Sequence, residues 1–333
     1  MNKIMNDPAN YDREVAAGFI KAFADNISFP HGDLSVAVRK RMPDNGEVAV
    51  IGVCDGGHMP AFAGYIGEGM LHGASVGKTM KVPSAADILE VISRCNMGKG
   101  VIIIPLIWDN ELDDEICRAV HLAEENGITV RTCEIRDDCM QPRNHPELRK
   151  GAAGVVLAIK IASAAATAGK CLDEITSLLA RVNANTRTAT DVGGSFCLPD
   201  SREPFLKIDE GKMQVGVGMH GEPGFEMVDY PTGYEIAEHL FRHRLNAELQ
   251  VKAGDEVAIM INDTGSATID ELLIIYQEEA RQFEAKGATV VRSYIGRFLT
   301  TLDMDGISIS AIKLDEEMKR YLLAKADAPF FRQ

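Results

Sequence analysis

Residues 48–60 read VAVIGVCDGGHMP: a buried-strand pattern from Val48 to Val53 that runs into a turn of Asp and Gly. A strand with apolar residues in succession belongs in a sheet covered on both faces. A strand that runs into glycines and then a helix is where open α/β sheets bind ligands. The neighbouring segments fit that frame. Upstream, Tyr11 to Asn26 carries Val15, Phe19, Ile20 and Phe23 at helical spacing. Downstream, AADILEVISRCNM (85–97) is an amphipathic helix, and GVIIIPLIW (100–108) is a continuous apolar run of strand type. Cys117 to Asn126 reads as helix and ITVRTCEI (128–135) as strand. DDCMQPRNHPELRKG (137–151) reads as a loop with two prolines.

Gly154 to Ala168 and Leu172 to Val182 read as helices buried on at least one side. The texture changes after NANTRTATDVGG (183–194). MQVGVGMHGEPG (213–224), DEVAIMINDTG (255–265) and ATVVRSYIG (288–296) then read as strands. Helices YEIAEHLFRHRLNAEL (234–249) and IDELLIIYQEEARQFEAKG (269–287) alternate with them, the second ending on a glycine at its C-cap. Alternation in both halves predicts two α/β domains, each a sheet covered by helices, joined near residues 183–197. Residues 1–185 form the expected N-terminal domain with the glycine-rich turn. Residues 186–333 form the expected C-terminal domain, which carries His220.

The formal net charge of −14 argues against a nucleic-acid partner, since affinity for phosphate backbone is built from Lys and Arg. The longest apolar run, VIIIPLIW, is far short of the roughly 18 residues that span a bilayer, so no membrane partner is expected. The N-terminus lacks the apolar core of a signal peptide. Seven cysteines without CxxC spacing suit free thiols in a reducing cytoplasm, with neither disulfides nor a zinc site. A cytoplasmic location is expected.

Three groups of residues have chemical potential. In GVCDGGHMPAFAGYIGEGMLHGASVG (52–77), eight glycines in 26 residues mark backbone that turns tightly or approaches a ligand. No P-loop or dinucleotide fingerprint is present, and His58 reads equally as a ligand-facing or a buried, hydrogen-bonded residue. In VGVGMHGEPGFE, His220 stands among Gly218, Gly221 and Gly224, with Glu222 two residues on. Imidazole is largely neutral, hence nucleophilic, near pH 7, and the glycines leave room beside the ring. In INDTGSATIDELLIIY and IGRFLTTLDMDGISIS, the residues Thr300, Thr301, Asp303 and Asp305 are placed to ligate a metal or polar substrate, or to shape a turn. The turn is the favoured reading.

These groups occur in one order. Together with IMNDP and RVNANTRT they resemble the dihydroxyacetone-binding subunit of dihydroxyacetone kinases, from about Met1 to Phe331. The resemblance implies that His220 attacks the ketone carbon of a small ketose to give a hemiaminal. It implies that His58 hydrogen-bonds the oxygen that becomes alkoxide, and that amides of Gly56 and Gly57 hold hydroxyls. It further implies a pocket near the domain junction, a homodimer, and no nucleotide on this chain. ATP or ADP with Mg then sits on a partner kinase subunit.

The chain departs from the family where GGGSGHEP becomes GVCDGGHMP: Asp55 replaces a glycine, Gly56 the serine and Met59 the glutamate. The family's catalytic acid aligns within IWDNELDD, on Glu111, Leu112 or Asp113 according to the side from which the alignment runs. An Asp55 carboxylate unpaired beside the phosphoryl group would oppose transfer. Three arrangements answer this: Asp55 turns away, it takes hydroxyls of a longer ketose such as a tetrulose, or the protein does not phosphorylate. The last matches family members that act as ketose-sensing coactivators of a transcription regulator. An isomerase or aldolase-like use of the same pocket is the remotest alternative.

Overall fold

The computed structural model describes residues 3–44, 46–107, 109–140, 148–201 and 203–333. The chain divides into two compact units. One comprises Asn2–Ile135, Leu157–Arg181 and Arg320–Gln333; the other comprises Arg136–Val156 and Val182–Lys319. Each is therefore assembled from separated segments, whereas the sequence pattern places a single cut after residue 185. Part of the 137–151 loop lies outside the described residues.

In the first unit, helix α1 (Tyr11–Phe23) precedes the short strands β1 (Ile27–Ser28) and β2 (Ala37–Arg39). Strands β3 (Ala49–Gly56), β4 (Gly73–Thr79), β5 (Val101–Pro105) and β6 (Val130–Thr132) complete a sheet of order β1-β2-β4-β3-β5-β6. β3 pairs in parallel with both β4 and β5, and all its residues are buried, as its unbroken apolar sequence requires. Helix α2 (Ala85–Cys95) starts where Ser84 accepts a hydrogen bond from the Asp87 amide. Its buried stripe Ile88, Val91, Ile92 and Cys95 has the i, i+3, i+4, i+7 spacing of a helix covering a sheet. Helix α3 (Asn110–Glu125) buries Leu112, Ile116, Ala119 and Ala123 in the same core. It begins before Cys117, where the sequence pattern starts it. Helices α4 (Val155–Thr167) and α5 (Leu172–Asn185) each begin or end in the other unit's segments.

The second unit holds strands β7 (Thr186–Gly194), β8 (Lys212–Val215), β9 (Glu226–Asp229), β10 (Glu256–Asp263), β11 (Thr289–Gly296) and β12 (Asp305–Leu314). Their order is β11-β10-β12-β7-β8-β9, antiparallel throughout except for β10 with β11. Helices α6 (Gly233–Leu240), α7 (Asn246–Leu249) and α8 (Ile269–Ala285) pack Ile236, Leu240, Leu249, Leu272, Ile275 and Phe283 onto this sheet. α6 and α8 open with capping boxes, Thr232/Glu235 and Thr268/Glu271. The C-cap of α8 is Lys286, and Gly287 beyond it takes the left-handed φ of +78°.

Two sequence expectations are corrected here. The stretch near residues 183–197, where the join between domains is expected, holds a strand: β7 is interior, between β12 and β8. Its β-branched Thr186, Thr188 and Thr190 are buried. Their burial is tolerated because hydroxyls find partners: Thr186 donates to the Val182 carbonyl at 2.7 Å, and Thr188 bonds Asp137 and Ser310. The polar threonines masked a strand. The second correction concerns the glycine-rich segment after β3, which leads through a short 3-10 turn (Ala63–Tyr65) into β4, not into a helix. Its glycines admit close backbone: a Cβ on Gly56 would lie 2.6 Å from the Gly77 carbonyl, and one on Gly67 2.2 Å from that of Asp327.

Candidate active site

The first unit presents the end of β3. Pairing with β4 shifts register between Cys54 and Gly56, so Asp55 sits at a bulge. Three residues on, His58 turns back: its Nε2 lies 3.2 Å from Asp55 Oδ1, and both side chains are fully buried. The carboxylate at Asp55 thus lies within ion-pair reach of the His58 ring. Burial beside Asp55 also pushes the Cys54 thiol up. Gly57 has φ +103°, a conformation side chains disfavour, and Gly56 is packed against β4 as described. His72 in the same unit is a contrast. Its Nδ1 accepts from the Val50 amide at 3.0 Å and its Nε2 meets Glu47 at 2.8 Å, so both ring nitrogens serve the core.

Glu111 and Asp113 lie exposed on the first turn of α3, and Leu112 between them is buried. Asp109 caps this helix, accepting from the Leu112 amide at 3.1 Å. Acidic groups at a helix start are favoured by its dipole, which accounts for the cluster without a ligand. Trp108, within the IWDNELDD segment, lies outside the described residues.

The second unit presents His220, 3% exposed, on a tight loop after β8. Gly221 donates to the Gly218 carbonyl and Gly218 to the Glu222 carbonyl, each at 3.0 Å. Glu222 Oε2 accepts from the His220 amide at 3.0 Å, and Oε1 lies 3.9 Å from Nδ1. Gly218 has a steric reason: a Cβ there would lie 2.1 Å from Glu222 Oε2. Just upstream, Gly216 donates at 3.3 Å to Asp191, whose carboxyl is pushed up to about 7 by burial.

The motif 295–310 meets this loop. The expected turn forms, with the Met304 amide donating to the Thr301 carbonyl at 3.0 Å, and the Thr301 hydroxyl donates to the Met219 carbonyl. Asn262, at the end of β10, holds the same segment. Its Nδ2 donates to Leu299 O and Ser308 Oγ, and its Oδ1 accepts from the Phe298 and Leu299 amides, all within 2.9 Å. Asp263 beside it accepts from Gly265, Ala267 and Arg297. Sequence reasoning passed over Glu222 and Asn262 as functional supports. The signal for Glu222 was its place two residues after a histidine framed by glycines; for Asn262 there was none.

The Dak1 domain model matches residues 17–330. The chain belongs to the Dak1 domain family. It is 33% identical to an L-erythrulose kinase of Pectobacterium atrosepticum, over the whole of this chain and 56% of that enzyme. It is 29% identical to the dihydroxyacetone-binding subunit DhaK of the PTS-dependent dihydroxyacetone kinase 2 of Listeria innocua, over all of this chain and 99% of the subunit. Among solved structures, a dihydroxyacetone kinase operon co-activator, Dha-DhaQ, superposes with a TM-score of 0.87 at 27% identity, covering 95% of this chain and 97% of that one. The chain spans little more than half the length of the first of these relatives. Dak1 relatives thus include kinases of three- and four-carbon ketoses and a co-activator on one fold. Among the described residues, no helix is long and apolar enough to cross a membrane, and all seven cysteines are free.

Proposed function

We propose that this chain captures dihydroxyacetone or a close C3–C4 ketose as a hemiaminal on His220 and presents it for phosphorylation by a nucleotide-carrying partner subunit. The observation that carries the reading is His220 itself: a buried imidazole on a loop braced by Glu222 and Thr301, in a chain of the Dak1 family. The lone pair of a neutral ring nitrogen attacks the ketone carbon, and the carbonyl π pair moves to oxygen. That oxygen gains a proton as the ring loses its N–H proton, so charge balances without a redox partner. Such a bond selects carbonyl compounds over simple polyols more sharply than hydrogen bonds do.

His58 is the proposed donor to the developing alkoxide, with its Asp55 partner setting its charge and orientation. The amides of Gly56 and Gly57 are the proposed hydroxyl contacts. Asp55 and Asp113 are assigned to further hydroxyls, and Glu111 to the base for the accepting one. ATP, or ADP, with Mg belongs in this proposal to the partner subunit. This chain acts as a homodimer in the cytoplasm. The test is to combine the purified chain with ATP and Mg, its cognate nucleotide subunit and a panel of C3–C4 ketoses. A phosphorylated ketose supports the kinase reading; no product with any ketose removes it.

A second reading is a ketose-sensing co-activator that binds a transcription regulator. Its support is the superposition on Dha-DhaQ together with the altered turn at Asp55 and Met59. Capture without phosphorylation, and regulator binding that depends on ketose, would favour it.

A further inference from the structure

The Met219–His220 peptide is held at both of its polar ends by side chains. Thr301 donates its hydroxyl to the carbonyl of Met219, and Glu222 Oε2 accepts the N–H of His220 at 3.0 Å. These two groups belong to one planar unit. With the next peptide also held, by the Gly221 amide on the Gly218 carbonyl at 3.0 Å, the backbone is fixed on both sides of the His220 Cα, and with it the direction in which the imidazole leaves the backbone. We infer that Thr301 and Glu222 are positioning residues for His220, and that Gly218 is a glycine in order to admit the Glu222 carboxylate.

Each brace is itself anchored. Thr301 is fully buried, its amide donates to the Thr264 carbonyl at 2.7 Å, and its carbonyl closes the turn with Met304. Thr264 in turn donates its hydroxyl to the Met304 carbonyl at 3.0 Å. Glu222 is held through its own carbonyl, which accepts from the Gly218 amide at 3.0 Å. Its side chain, 41% exposed, reaches back over the loop into space that a Cβ on Gly218 would fill, 2.1 Å from Oε2. A partly exposed carboxylate satisfying one backbone N–H adds little net stability, because water competes for both groups. The arrangement therefore makes most sense as orientation. Attack on a carbonyl is sensitive to small displacements of the nucleophile, of the order of 100-fold in rate for about 1 Å.

The inference rests on the capture reading above, and its test separates the two. With dihydroxyacetone labelled with carbon-13 at its ketone carbon, carbon NMR follows that carbon from the carbonyl region to the tetrahedral region, and exchange measurements give the capture rate. Thr301→Val and Glu222→Ala are expected to slow capture about 10- to 100-fold. Thr301→Ser keeps the hydroxyl and Glu222→Gln keeps an acceptor oxygen, so both are expected to capture near the wild-type rate. Gly218→Ala is expected to match Glu222→Ala, and the double variant to be no slower than either single one. Glu222→Ala alters a half-exposed side chain and is the variant on which the outcome turns if Thr301→Val fails to fold. Capture by Glu222→Ala at the wild-type rate, or slow capture that Gln and Ser do not restore, overturns the positioning roles. A wild-type chain that shows no tetrahedral carbon overturns the capture reading instead, and this inference with it.

Discussion

Asp55 and His58 form a fully buried pair, with His58 Nε2 3.2 Å from Asp55 Oδ1. The glycine that the sequence resemblance implies at this position would supply no such carboxylate. If Asp55 also accepts hydroxyls from a longer ketose, Asp55→Gly shifts preference from erythrulose toward dihydroxyacetone by about 10-fold, the worth of one hydrogen bond to a charged group. Competition between the two ketoses for capture measures the ratio. An unchanged ratio assigns Asp55 to His58 alone.

Glu111 stands exposed on the first turn of α3, where helix electrostatics already explain an acid. In the kinase reading proposed above, Glu111→Gln is expected to lower phosphorylation in the presence of the partner subunit about 100-fold while leaving ketose capture intact, because general-base catalysis contributes roughly that much. Equal turnover by the variant removes Glu111 from the mechanism.

Asn262 uses all four of its hydrogen-bonding positions within the 297–308 segment. Replacing it by Leu removes one hydrogen bond each from two backbone amides, a carbonyl and a hydroxyl. The expected loss of stability is about 2–4 kcal/mol, read as a lowered urea midpoint with an unchanged slope.

Lys160 on α4 is fully buried and donates to the Tyr321 carbonyl at 2.9 Å, and burial lowers its pKa to about 8. The unfolded chain holds that proton up to its ordinary value near 10.4. Between these values the unfolded state binds more protons, so stability rises with pH, by up to about 3 kcal/mol for this group. Below pH 8 the full penalty of burying the charge applies. Lys160→Met is expected to abolish this part of the rise; thermal midpoints of both proteins between pH 7.5 and 10 show it as a change of slope.

The parts of the fold that sequence patterns exposed are those governed by one dominant force. β3 and β5 are uninterrupted apolar runs because both faces are covered, and α2 and α8 carry regular stripes and caps. β7 escaped because its buried positions are threonines, whose hydroxyls are satisfied by Val182 one helical turn back and by Asp137 and Ser310 from distant parts of the chain. β12 escaped because its first residues looked like the tail of a turn motif, and its alternation of Ser with Ile is half polar. The segment exchange between units, at 135/136, 156/157, 181/182 and 319/320, leaves no compositional trace. At the site, His58 and His220 stood out through their glycines. Asp55, Glu222 and Thr301 were visible as residues, but their bonding partners were not, since a carboxylate or hydroxyl in a turn has many local uses.

Covalent capture on His220 is read by carbon-13 NMR of the chain with dihydroxyacetone labelled at the ketone carbon. The wild type is expected to give a protein-bound tetrahedral carbon that disappears in His220→Ala. A bound ketose whose labelled carbon remains in the carbonyl region, or a tetrahedral signal that persists in His220→Ala, would contradict it.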